Sequence, residues 1–201
     1  MPLDLTKRGY DTTQAAQPGT FSKLAPGGYV CNIVRTELVK SKSGRDMLNV
    51  FIDIAEGARA GYFRKDLEHR RKFKPDCQWS PNGTYYQLLF DTDGYVTPFF
   101  KWFVESVEKS NRGFQINPTE FYGNEFTGRL CGFTFGEEEY LKRNGDVGTN
   151  IKPKIPLPVD DIKAGNFQIP ELTKLKADAP KPSSMANAFS GEPIDDGDTP
   201  F

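Results

Sequence analysis

The chain has 201 residues, enough for one ordinary domain with extensions rather than two independent cores, and its 37% apolar share is low for a fully packed protein. Its apolar runs are only a few residues long, which excludes a membrane span, and Met1 to Tyr10 has no apolar stretch of the signal-peptide kind. The net charge of −1 conceals an asymmetry: Ala177 to Phe201 carries five acids and one base, which leaves +3 for residues 1–176.

Residues 1–20 are polar and turn-rich, with Pro18-Gly19 and no apolar period, and read as a flexible N-terminal arm. The β-branched run Tyr29 to Val34 reads as the first strand, and Lys40 to Gly44 as a turn. Leu48, Val50, Ile52 and Ile54 then alternate with Met47, Asn49, Phe51 and Asp53, which predicts a strand with its aliphatics on one buried face. Gly61 to Arg64 is expected to open a third strand. A polar excursion follows to Gly83, and β character resumes over Thr84 to Phe90.

The period then changes. Thr97 is placed to cap a helix with Pro98 at its first position, and Phe99, Phe100, Phe103, Val104 and Val107 fall on one helical face ended by Asn111-Arg112-Gly113. Strands return over Glu125 to Phe135 and Thr149 to Ile155, joined by the hairpin signal Asn144-Gly145. Val159 to Lys163 reads as a short helix stopped by Gly165. From Lys176 onward Ala, Asp, Pro, Ser and Gly dominate, and a disordered acidic tail is expected. The chain thus divides into an arm (1–20), a mainly β domain (21–175) and a tail (176–201). Five strands with one helix between the third and fourth is the order of an OB fold, a small Greek-key barrel. Another small barrel or an α+β sheet is the alternative.

Enzyme chemistry has little to stand on. The single histidine, His69, lies in a basic run, and Cys31, Cys77 and Cys131 are too widely spaced for a metal site and read as reduced cytosolic thiols. No phosphate-binding loop or dinucleotide motif occurs, so neither a cofactor nor a metal is expected. A metal-dependent nuclease built on Glu137-Glu138-Glu139 and Asp160-Asp161 is one rival reading, and a protein-interaction module that binds no DNA is the other.

Nucleic-acid chemistry is better represented. Between Arg59 and Lys74 seven bases, among them Arg64, Lys65, Arg70, Arg71, Lys72 and Lys74, are interleaved with Tyr62, Phe63 and Phe73, and Trp79, Tyr85 and Tyr86 follow. Cations track a phosphate backbone while flat rings stack on bases of any sequence. Trp79, set in a loop, is the favoured stacking residue, and one of Tyr85 and Tyr86 is expected to point into the core. Lys40, Lys42 and Arg45 in the first hairpin, with Phe51 on the polar face of the second strand, complete the candidates.

The final residues, Ile194-Asp195-Asp196-Gly197-Asp198-Thr199-Pro200-Phe201, closely resemble the C-terminal tip of bacterial-type single-stranded-DNA-binding proteins, departing from it at Gly197 and Thr199. The resemblance implies that Asp195, Asp196, Asp198, Pro200 and Phe201 dock in a basic-rimmed apolar pocket of replication or recombination proteins. Ile54-Ala55-Glu56-Gly57 with Gly61-Tyr62-Phe63, Pro98-Phe99-Phe100-Lys101 with Glu108-Lys109-Ser110-Asn111, Gly136 to Tyr140, and Gly165 to Leu172 resemble phage replication-module proteins of Gram-positive hosts, over about residues 24–176. That resemblance implies a phage origin and single-stranded-DNA binding, by a group some of whose members are OB-fold binders; with the residue reading above, a non-catalytic role in the host cytosol is expected. It assigns no individual DNA contact and leaves self-association open.

Overall fold

A computed structural model describes residues 23–142 and 144–175. The expected arm at 1–20 and the acidic tail, with its Pro-Phe tip, lie outside the described residues. Five strands, β1 (Gly27–Lys40), β2 (Asp46–Ile54), β3 (Thr84–Leu88), β4 (Leu130–Leu141) and β5 (Val147–Leu157), form one antiparallel sheet in the order β3-β2-β1-β4-β5. Among the described residues three α-helices accompany it: α1 (Tyr62–Arg71), α2 (Pro98–Ser110) between β3 and β4, and α3 (Val159–Ala164) after β5.

Most of these elements follow from local chemistry. In β2 the four alternating aliphatics are 2% exposed or less, as their period requires. The Thr97 hydroxyl accepts from the Phe100 N–H at 3.1 Å with Pro98 at the first position, and Phe100, Phe103, Val104 and Val107 are buried. Phe99, expected on that face, is instead exposed on the flank of α2. Asn144 and Gly145 turn β4 into β5, and Gly165 ends α3 at a φ of 75°.

Two expectations are corrected. Gly61 to Arg64 does not open a strand, because Gly61 turns the chain at a φ of 72° and the Asp53 carboxylate, reaching from β2, accepts from the Phe63 N–H at 2.9 Å. That bond satisfies a donor in the first turn of α1, and Phe63 and Leu67, four residues apart, bury its inner face. The third strand is Thr84–Leu88. The barrel is also not closed: β3 and β5 are the two edges, and no ladder joins them among the described residues. β3 is short, and Pro153 and Pro156 leave β5 without two donors that a closing ladder would use.

The aromatic excess is largely consumed by the core. Phe63, Phe103, Phe126, Phe133 and Phe135 are almost fully buried, with Phe63 stacked on Phe135 at 6.1 Å and Phe126 edge-on to Phe103 at 4.9 Å. Cys31 and Cys131 face each other across β1 and β4 as free thiols, held above the usual thiol range by burial.

The chain after α3 returns across the sheet as a strap. Phe167 lies where a side chain on Gly28 would stand, and Thr173 bonds β4 through the Glu137 carbonyl and the Glu139 N–H, both at 2.9 Å. Gly132 lets α3 approach in the same way: a Cβ there would sit 2.9 Å from the Leu157 carbonyl oxygen and closer still to Ile162. Gly132→Ala is therefore expected to cost about 1–3 kcal/mol through overpacking. Thermal melting should show a drop of several degrees, and an unchanged midpoint would mean that α3 packs loosely on β4.

Candidate nucleic-acid interface

The site grows from an irregularity in β1. Ile33 pairs with Ile52 and Arg35 with Phe51, so Val34 is an extra residue that shifts the register. The bulge reverses the alternation: Ile33 points into the core, while Arg35, two residues on, points to the opposite face with Phe51. Directly opposed residues share a face, so that outer face carries Arg35, Phe51 and Thr84 in one row and Glu37, Asn49 and Tyr86 in the next. The Arg35 guanidinium lies 4.3 Å from the Phe51 ring centroid and 3.2 Å from the Glu37 carboxylate. Phe51 and Tyr86 are diagonal neighbours, both half-buried. Burial holds the Tyr86 hydroxyl above the usual phenol range, partly offset by its hydrogen bond with Thr84. The ring pair is therefore neutral, with a cation beside it.

At one end of this face stands the β1–β2 hairpin. The Ser41 hydroxyl accepts from the Arg45 N–H at 3.0 Å and the Ser41 N–H bonds the Arg45 carbonyl at 2.8 Å, which fixes a short turn. Lys40 and Lys42 are exposed on it, Arg45 is half-buried, and Lys40 pairs with Asp46 at 2.7 Å. At the other end Asp53 is buried under the start of α1 and Arg64 approaches its second oxygen at 3.7 Å. The hairpin and Arg64 thus flank the two rings toward opposite ends of β2.

The basic run divides in consequence. It lies on a helix and the turn after it, not on an extended loop. Arg64 and Lys65 sit in the first turn, where the Lys65 ammonium donates to the Ala60 carbonyl at 2.9 Å. Arg70 is committed to Asp66 at 2.8 Å and to the Gln78 carbonyl, and Arg71 to the Cys77 carbonyl at 3.3 Å, so both brace the segment after α1. Lys72, Phe73 and Lys74 lie beyond the end of α1, about 12 Å along its axis from Arg64. The structure does not bring them to the sheet face.

Three aromatic candidates are packed. Tyr62 lies edge-on to Phe63 at 5.1 Å against the core. Trp79 also packs there and donates its indole N–H to the Gly83 carbonyl at 3.0 Å, because the turn at Pro81–Gly83 folds the loop back under it. Tyr85 is buried with its hydroxyl on Gln87 at 2.7 Å and its pKa driven well above the phenol range by burial, so of the Tyr pair Tyr86 is the outward one.

Comparison with known protein families gives no match, and no curated protein matches the chain. Arg35 and Asn49 belong to this face and were absent from the sequence candidates; only the outward period of β2 pointed toward Asn49, and Arg35 depends on the bulge. Two of the five acids of the nuclease reading are otherwise engaged: Glu138 is clasped by Lys152 and Lys154, which hold its carboxyl below the usual range against the opposing effect of burial, and Glu139 accepts from the Leu175 N–H at 3.0 Å. No metal-holding group of three His, Cys, Asp or Glu residues occurs among the described residues. No helix there is long and apolar enough to cross a membrane.

Proposed function

We propose that this protein binds single-stranded DNA without sequence preference, as a non-catalytic component of phage replication or recombination. The observation that carries the reading is the Phe51–Tyr86 ring pair with Arg35 over one ring, set between the hairpin cations and Arg64. Rings of this kind stack on any base, and the flanking cations follow the phosphates. The strand order, with a helix after β3, supports an OB-type fold opened between β3 and β5. In that fold the face of the second and third strands and the first hairpin bind oligonucleotides. The acidic segment ending at Asp198-Thr199-Pro200-Phe201 is assigned to recruiting replication or recombination proteins.

The nine residues of β2 span about 27 Å, room for about eight nucleotides at a stacked rise of 3.4 Å. Titration of labelled oligo-dT and of duplex of the same length, at low and at physiological salt, tests the proposal. The single strand is expected to bind more tightly, with affinity falling steeply as salt rises. Equal binding of the two forms at every salt concentration, or Mg²⁺-dependent degradation of the DNA, would overturn it.

A further inference from the structure

The cations and rings that the sheet face does not use meet a counterpart elsewhere on the same chain. Phe73 is 79% exposed, and it stands just past α1 beside Arg71, Lys72 and Lys74. The turn that carries it is braced by the bonds of Arg70 to Gln78 and Arg71 to Cys77, and by the His69 ring 5.4 Å from Phe73. It is a fixed aromatic knob in a basic setting. On α2 and the turn before it, Tyr95 is 73% exposed, Trp102 53% and Phe99 48%, with Val96 exposed beside them. Phe99 and Trp102 are three residues apart and so share a flank of the helix. The Trp102 indole donates to the Pro156 carbonyl at 2.6 Å, so that the ring is held in place before any partner arrives.

The rim of this second patch carries three acids, Asp91, Asp93 and Glu105, and one cation, Lys101, and so is net negative. Asp91 accepts from the N–H groups of Asp93 and Tyr95, both at 2.9 Å, and Asp93 is exposed at the turn. Glu105 lies one turn beyond Trp102, paired with Lys101 at 3.7 Å. Carboxylates around exposed rings repel a phosphate backbone and favour a cationic, apolar visitor. The Phe73 turn has that chemistry.

We infer that copies of this chain associate head to tail, the Arg71–Lys74 turn of one copy seating Phe73 among Tyr95, Phe99 and Trp102 of the next. Knob and patch are different surfaces of the same molecule, so the contact is heterologous and propagates into an open row. On a long single strand such a row makes binding cooperative. That consequence rests on the proposed DNA function, whereas the association itself does not.

Sedimentation velocity of the full chain over a range of concentrations, at low and high salt, reads the association directly. The expected result is concentration-dependent assembly that weakens with salt. Phe73→Ser should weaken it at least about tenfold. Lys72→Glu with Lys74→Glu in one variant, and Asp93→Lys with Glu105→Lys in another, should each assemble poorly alone. An equimolar mixture of the two should assemble again, since each reversed knob then meets a reversed patch. A chain that stays monomeric at every concentration, or a mixture that fails to assemble although both variants melt normally, would overturn the inference. Loss of binding to an oligo-dT of about eight nucleotides on Trp102→Phe would also overturn it, by placing nucleic acid on the patch. That oligonucleotide is too short for two copies, so failure to bind it while assembly persists would sink the proposed function alone.

Discussion

Phe51→Ala combined with Tyr86→Ala is expected to reduce single-stranded-DNA affinity about 30-fold or more. Each base–ring stack contributes about 1–3 kcal/mol, and the two rings offer neighbouring platforms rather than one shared contact. The salt dependence should barely change, because neither side chain neutralises a phosphate. Both residues are half-buried, and Phe51 packs beneath Arg35, so truncation also removes some packing. Phe51→Leu with Tyr86→Leu keeps apolar bulk while removing the flat faces, and it should lose most of the same affinity at a near-normal melting temperature. If the leucine variant binds normally, the rings are not stacking platforms and the strand runs elsewhere. Trp79→Ala makes the converse point: Trp79 packs on the core with its indole bonded to Gly83, so its removal acts on stability.

Neutralising the hairpin, with Lys40, Lys42 and Arg45 all changed to Gln, is expected to weaken binding at low salt on the order of tenfold. The more diagnostic change is in the slope of log affinity against log salt, which should flatten by about 2, since each lost single-strand phosphate contact removes about 0.7. Fluorescence anisotropy of a labelled oligo-dT at several salt concentrations measures both. The substitution preserves the Ser41 bonds to Arg45, which are made by backbone groups of Arg45. Removal of Lys40 does leave Asp46 without that partner, an exposed pair of the kind that contributes little to stability. An unchanged slope would mean that the hairpin cations do not touch the backbone of the DNA.

These two experiments separate residues that look equivalent in the sequence. Lys42 and Lys72 both sit in polar, basic stretches, and Phe51 and Phe73 both lie among hydrophilic neighbours. What distinguishes them is position on the sheet. Phe51 projects from β2 beside Tyr86 and Arg35, whereas Phe73 stands beyond the end of α1.

By itself the sequence determined whatever depends on neighbours a few residues away. The alternation of Leu48 to Ile54 made β2 a half-buried strand, Thr97 and Pro98 set the start of α2, and Asn144-Gly145 turned the last hairpin, because period, capping and turn chemistry are local. A mainly β, five-stranded sheet was legible for the same reason, although the third strand is Thr84–Leu88 rather than one opening at Gly61. Tertiary structure decided what depends on distant partners. α1 forms where a strand was expected because Asp53, ten residues away, supplies its first-turn acceptor. Arg35 reaches the candidate face only because pairing with β2 leaves Val34 unmatched. Tyr85 turns inward and Tyr86 outward by the register of β3 on β2, and Trp79 is drawn onto the core by its bond to the Gly83 carbonyl. The sheet stays open between β3 and β5, because closure is a property of two edges that the chain brings together only after every other strand is in place.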